Sequence, residues 1–221
     1  MAAQARVPAV ILSSTDCGRL KLAAGVDLQV TLAKNPADTV GADFVDGDFD
    51  NGIIAHEYGH GISIRLTGGP LNSSCLNSGE QMGEGWSDFM SLITTAKVGD
   101  SGGQKRGIGN YALRLPTDGA GIRRYPYSTN MSINPHTYDN LFLPNGQVSP
   151  HPIGEIWCTT LWDMYWKFTD KYGFDPNIYN TKSGNGKAIQ LVFDGLKIQP
   201  CNTGILDGRD AIIAADKINT R

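Results

Sequence analysis

The chain has 221 residues, 19 Lys+Arg against 22 Asp+Glu, a formal net charge of −3 and 40% hydrophobic residues. That length is enough for one large domain or two small lobes around a real core. The balance of charge excludes the basic footprint of a nucleic-acid binder or an anionic-membrane binder, and no apolar run is long enough to span a bilayer.

Residues 1–6 lack the charged start and apolar core of a signal peptide. Residues 7–12 form a short apolar run, and residues 26–32 alternate and are β-branched, so both predict strands. The acidic turn Asp46, Asp48, Asp50 then leads into a helix over 52–66, with Asp50 or Asn51 as its N-cap. Thr67-Gly-Gly-Pro70 stops that helix. The acidic turn resembles the start of a calcium loop but lacks the Glu at the twelfth position, so a capping role is expected and Ca2+ is unsupported. A second helix covers 84–93, because Trp86, Phe89, Met90 and Ile93 fall at i, i+3, i+4, i+7. Residues 97–150, rich in Gly, Asn, Pro and Ser, read as a long irregular connection. A third helix starts at Pro152, carries Ile153, Ile156, Trp157, Leu161, Met164, Tyr165 and Phe168 on one face, and ends at Gly173. Two more helices are expected over 188–196 and 207–218, the last capped by Asp207. The fold class is therefore α+β and mostly helical. Residues 1–45 form a short β-containing N-terminal part and 46–221 a helical lobe. Cys17, Cys75, Cys158 and Cys201 match no CxxC pattern, and their pairing is left open.

The chemistry concentrates in the first helix. His56 and His60 stand at i and i+4, so both imidazoles leave the same helix face and can share one metal ion. With four His and four Glu in the whole chain, H-E-x-x-H arises by chance about once in a thousand such sequences. Zinc takes nitrogen and oxygen ligands and leaves one position for water in catalytic sites. Glu57 can lie beside the ion without ligating it and take a proton from that water. The second helix offers Glu84 as third ligand and, one turn on, Asp88 to accept the spare N–H of a ligating imidazole, expected to be His56. Gly59 and Gly61 flank His60 at a cost of about 1 kcal/mol each in helix propensity. A local rule broken twice beside a site points to close packing there.

These blocks resemble the fungalysin family of zinc metallopeptidases, within the thermolysin-like gluzincins. The resemblance is carried by Asp46 to Ser63 around the HExxH helix, Arg65-Leu-Thr-Gly-Gly-Pro70, Met82-Gly-Glu-Gly-Trp-Ser-Asp-Phe89, Gly121-Ile-Arg-Arg-Tyr-Pro-Tyr-Ser128, His151-Pro-Ile-Gly-Glu-Ile-Trp157 and the stretch 190–202. It covers about residues 43–218. It implies one Zn2+ held by His56, His60 and Glu84, with Glu57 as base. It also implies two lobes with the zinc helix at the cleft floor, a secreted enzyme, and an inhibitory propeptide. His151 matches the family histidine that stabilises the oxyanion, a role an imidazolium can fill. Of Arg123 and Arg124, the resemblance favours Arg123 as the group that binds substrate. His136 and Tyr138 read as structural loop residues, and Glu155 as a solvated first-turn glutamate. The family carries a longer N-terminal lobe than the 55 residues before His56, so an incomplete substrate-binding edge is expected.

The reading is a zinc metalloendopeptidase acting on protein or peptide substrates as a monomer. The alternative is an inactive zinc-binding fragment or interaction module derived from such an enzyme, against which the presence of Glu57 counts. An aminopeptidase would need an acidic Gly-x-Met-Glu-Asn segment before the helix, and the chain has none.

Overall fold

The computed structural model describes residues 45–142 and 150–219. The strands expected at 7–12 and 26–32 lie outside the described residues, as does nearly all of the N-terminal part. Within the described residues there are five α-helices and no strand: α1 (Asn51–Leu66), α2 (Gly83–Thr95), α3 (Pro150–Tyr172), α4 (Gly184–Ile198) and α5 (Ile205–Asn219). Short 3-10 turns occupy Gly47–Phe49 and Tyr138–Phe142. None of these helices is long and apolar enough to cross a membrane.

The helices pack in chain order, each chiefly against the next. The apolar face expected on α2 is the one that buries, with Trp86, Phe89, Met90 and Ile93 at most 5% exposed. It meets α3 through Trp86 against Trp157 and Phe89 against Tyr165, both edge-to-face. α3 is buried beyond a single stripe. Cys158, Trp162, Trp166 and Thr169 are enclosed too, because α2 and α4 cover it from two sides. Residues 96–137 form an irregular connection closed by two isolated bridges, Arg106 with Tyr127 and Ile108 with Gly121. Gly121 has φ +67°, and a Cβ there would run into the Ile108 carbonyl. Only glycine allows this approach, which sets the direction of Arg123 and Arg124.

The cap of α1 is as expected, whereas the starts of α3 and α5 differ from the expectation. α1 is capped by Asp50, whose Oδ1 accepts from Gly52 N–H at 2.8 Å and Ile53 N–H at 3.3 Å. Oδ2 of the same residue accepts from Ala112 N–H at 3.1 Å, fixing the connection to the helix start. α3 begins at Pro150 rather than Pro152. Both prolines fit in a first turn where no N–H is required, and His151 is thereby inside the helix. Asp207 is not the N-cap of α5. That helix starts at Ile205, so Asp207 reaches back to Gly204 N–H at 3.0 Å while Glu80 accepts from Ile205 N–H at 2.8 Å. Cys75 and Cys201 form a disulfide, and Cys158 is a buried free thiol.

Candidate metal centre

The apolar side chains of α1 are only partly buried, with Ile62, Ile64 and Leu66 packed against the core. Its fully buried residues are His56, Gly59 and Ser63, all small or polar. Docking is tight because Gly59 has no side chain. A Cβ there would lie 2.8 Å from Ser87 Cα and 3.2 Å from Met90 Cβ. Gly61 is different, with nothing within 4 Å of its would-be Cβ. The close packing expected from both glycines is present at Gly59 alone. A second glycine contact joins α2 to α3. A Cβ at Gly154 would sit 2.5 Å from Glu84 Cβ and 2.6 Å from Gly85 N. Three helices thus approach at glycines within a few residues of His60, Glu84 and His151.

The result is a cluster of candidate ligand atoms. One atom each from His56, His60 and Glu84 lies within 4.8 Å of the others. His56 Nε2 stands 3.4 Å from Glu84 Oε2, and His60 Nε2 stands 3.5 Å from Glu84 Oε1. Donors about 2.0–2.2 Å from a tetrahedral zinc are separated by roughly 3.3–3.5 Å. The donor types fit that ion, and each histidine lies at about that spacing from a Glu84 oxygen.

Electrostatics point the same way. Burial would depress the His56 pKa, but hydrogen bonds and charge from Asp88 and Glu84 outweigh it and raise it to about 9. Burial opposes ionisation of Glu84 as well, yet His56, His151 and Arg123 bring its pKa down to about 2. His60 is lowered by burial and by the neighbouring His56, with Glu84 and Glu57 opposing. Two ionised carboxylates around the buried His56 and the partly buried His60 make a pocket that holds positive charge, in the form of a proton or a metal cation.

Comparison with known proteins is consistent with this chemistry. A family model described as fungalysin metallopeptidase (M36) matches residues 39–221. The chain belongs to the fungalysin family. It is 45% identical over 179 residues to the extracellular metalloproteinase MEP of Neosartorya fischeri, covering 77% of this chain and 27% of that protein. It is 42% identical over 183 residues to extracellular metalloproteinase 2 of Trichophyton rubrum, covering 79% and 28%. It is 44% identical over 179 residues to an extracellular metalloproteinase of Aspergillus fumigatus, covering 77% and 27%. The chain thus spans about a quarter of the length of the curated relatives it matches.

Around His56, His60 and Glu84 lies a second layer centred on Asp88, which is wholly buried. Asp88 Oδ1 is 2.7 Å from His56 Nδ1. Arg123 donates to the same carboxylate from Nε at 2.6 Å and from Nη2 at 2.8 Å, and Nη2 also reaches Glu84 Oε2 at 3.1 Å. Tyr127 completes the set by donating its hydroxyl to Asp88 Oδ2 at 2.5 Å. Arg123 thus pairs with both Glu84 and Asp88, with its side chain 2% exposed. Glu57 is exposed on α1, immediately after His56. His151 is 58% exposed, with Nε2 3.6 Å from Glu84 Oε2. Asp46 and Asp50 spend their carboxylates on backbone N–H groups, the capping role expected for the acidic turn.

Two residues depart from the sequence reading. Glu155 is not solvated but buried, accepting from Arg124 and facing His136. The cause is the 96–137 connection, which folds over the first turns of α3 and brings Arg124 and His136 with it. Tyr127 is a further residue of this layer, and its one signal in the sequence is membership of the Gly121 to Ser128 block.

Proposed function

We propose that this chain carries the catalytic centre of a secreted zinc metalloendopeptidase. The observation that supports it most is the convergence of His56, His60 and Glu84 on one spot, with Glu57 adjoining His56. Zinc held by these three side chains supplies Lewis acidity and brings the pKa of a bound water to about 7.

The chain's own groups do the rest. Glu57 takes the proton from the attacking water and returns it to the leaving amine. His151, exposed at the start of α3 beside Glu84, donates a hydrogen bond to the oxyanion that develops on the scissile carbonyl. Asp88 holds His56 in the tautomer that presents Nε2 to the ion, and Arg123 and Tyr127 hold Asp88. The substrate is a protein or peptide, and the extracellular names of the relatives support secretion.

Endopeptidase action is tested with an N-acetylated peptide beside its free-amine twin, in the presence of stoichiometric zinc. Internal cleavage of both at similar rates is expected. Cleavage of the free-amine peptide alone, one residue at a time, would replace this reading with an aminopeptidase.

A further inference from the structure

Two adjacent arginines reach in opposite directions from one loop. Arg123 is committed to Asp88 and Glu84 on α2. Arg124 is committed to α3. Its backbone N–H and Nε donate to Glu155 at 3.1 and 2.9 Å, and its Nη2 donates to the Pro152 carbonyl at 3.4 Å. Glu155 Oε2 lies 3.0 Å from His136 Nε2. The same loop is bound again one turn further along α3. The Thr159 hydroxyl donates to the Glu155 carbonyl at 2.8 Å and accepts from Asn134 Nδ2 at 3.0 Å.

A buried carboxylate with charged partners adds little net stability over a well-packed apolar side chain. What this cluster does fix is position. His151 belongs to the turn that Arg124 clamps, next to Pro152. Its own side chain is 58% exposed, so its place is set by the backbone that carries it.

We propose that Arg124, anchored by Glu155 and His136, is a positioning residue for His151. With Arg123 it forms a two-way clamp that fixes the distance between His151 on α3 and the ligand Glu84 on α2. This inference rests on the metalloendopeptidase reading above. A misplacement near 1 Å can cost about 100-fold in rate. Arg124→Ala is therefore expected to lower kcat by about that factor, with KM little changed and zinc content intact. Arg124→Lys keeps the charge near Glu155 but loses the fork to Pro152, so it should fall between the two.

The test is a double-mutant cycle with His151→Ala, joined to NMR of the cobalt-substituted chain. If Arg124 acts through His151, Arg124→Ala costs nothing further in the His151→Ala background. The paramagnetic shift of the His151 ring should shrink in Arg124→Ala and, less, in Arg124→Lys, while the His56 and His60 signals persist. Losses that simply multiply, or an unchanged His151 shift in both variants, would overturn the proposal. If Arg124→Ala does not fold, Arg124→Lys carries both measurements. A wild-type chain that takes up no cobalt would overturn the metal-centre reading itself, and this proposal with it. If cobalt binds but peptide is not cleaved, the His151 shift still decides the clamp.

Discussion

Gly59 and Gly61 lie on either side of His60 and are equal by helix propensity, yet alanine should act oppositely at the two. At Gly59 a Cβ would lie 2.8 Å from the Ser87 backbone, about 0.6 Å inside the shortest ordinary contact. A backbone atom cannot step aside, so α1 must move off α2 by roughly that amount. Overpacking of this kind costs about 1–3 kcal/mol. The propensity gain of about 1 kcal/mol offsets part of it. A net loss of about 0–2 kcal/mol follows, and the ligands suffer more than the fold, because metal sites tolerate only about 0.2 Å. At Gly61 the space is open, so Gly61→Ala should gain about 0.5–1 kcal/mol, a rise of roughly 1–4 °C in Tm. The assay is thermal unfolding of both variants with and without zinc, plus zinc affinity by chelator competition. Gly59→Ala should lose at least tenfold in zinc affinity while Gly61→Ala keeps it. Equal zinc affinity in the two variants would refute the argument that the α1–α2 approach sets the ligand geometry.

Asp88→Asn removes charge from the carboxylate that serves His56, Arg123 and Tyr127, and should weaken zinc binding by about 10–100-fold in the same competition assay. Glu155 is held below its usual pKa, because hydrogen bonds from His136 and Arg124 overcome the opposing effect of burial. Its contribution to stability is therefore present above the ordinary glutamate pKa of about 4.3 and is lost as pH falls through the lower folded value. The Tm gap between wild type and Glu155→Gln should accordingly narrow on acidification from pH 7 to pH 3, and a gap that widens would contradict it. The Cys75–Cys201 bond closes a span of 126 residues. Cys201→Ser should lower unfolding free energy by about 2–5 kcal/mol, measured by urea denaturation.

Local patterns carried much of this structure. The i, i+4 spacing of His56 and His60 and the apolar face of α2 depend only on helix geometry, and both read directly from the sequence. Helix starts were less legible, since Pro150 and Pro152 are equally acceptable in a first turn. The rest depends on contacts between distant segments. Glu155 meets Arg124 and His136 across 31 and 19 residues, and no periodicity reports such a meeting. Gly59 and Gly61 could not be told apart for the same reason: what distinguishes them is Ser87 on another helix. The Cys75–Cys201 pairing likewise became visible only once the loop after α1 and the segment after α4 were brought together.

The most direct test of the account is peptide hydrolysis by the zinc-loaded chain beside Glu57→Gln, with zinc content measured in both. Glu57 is exposed and lies outside the ligand cluster, so the substitution should leave zinc at one per chain while hydrolysis falls by about 100-fold or more. Wild-type rates in Glu57→Gln, with zinc bound, would contradict the assignment of the base and the mechanism built on it.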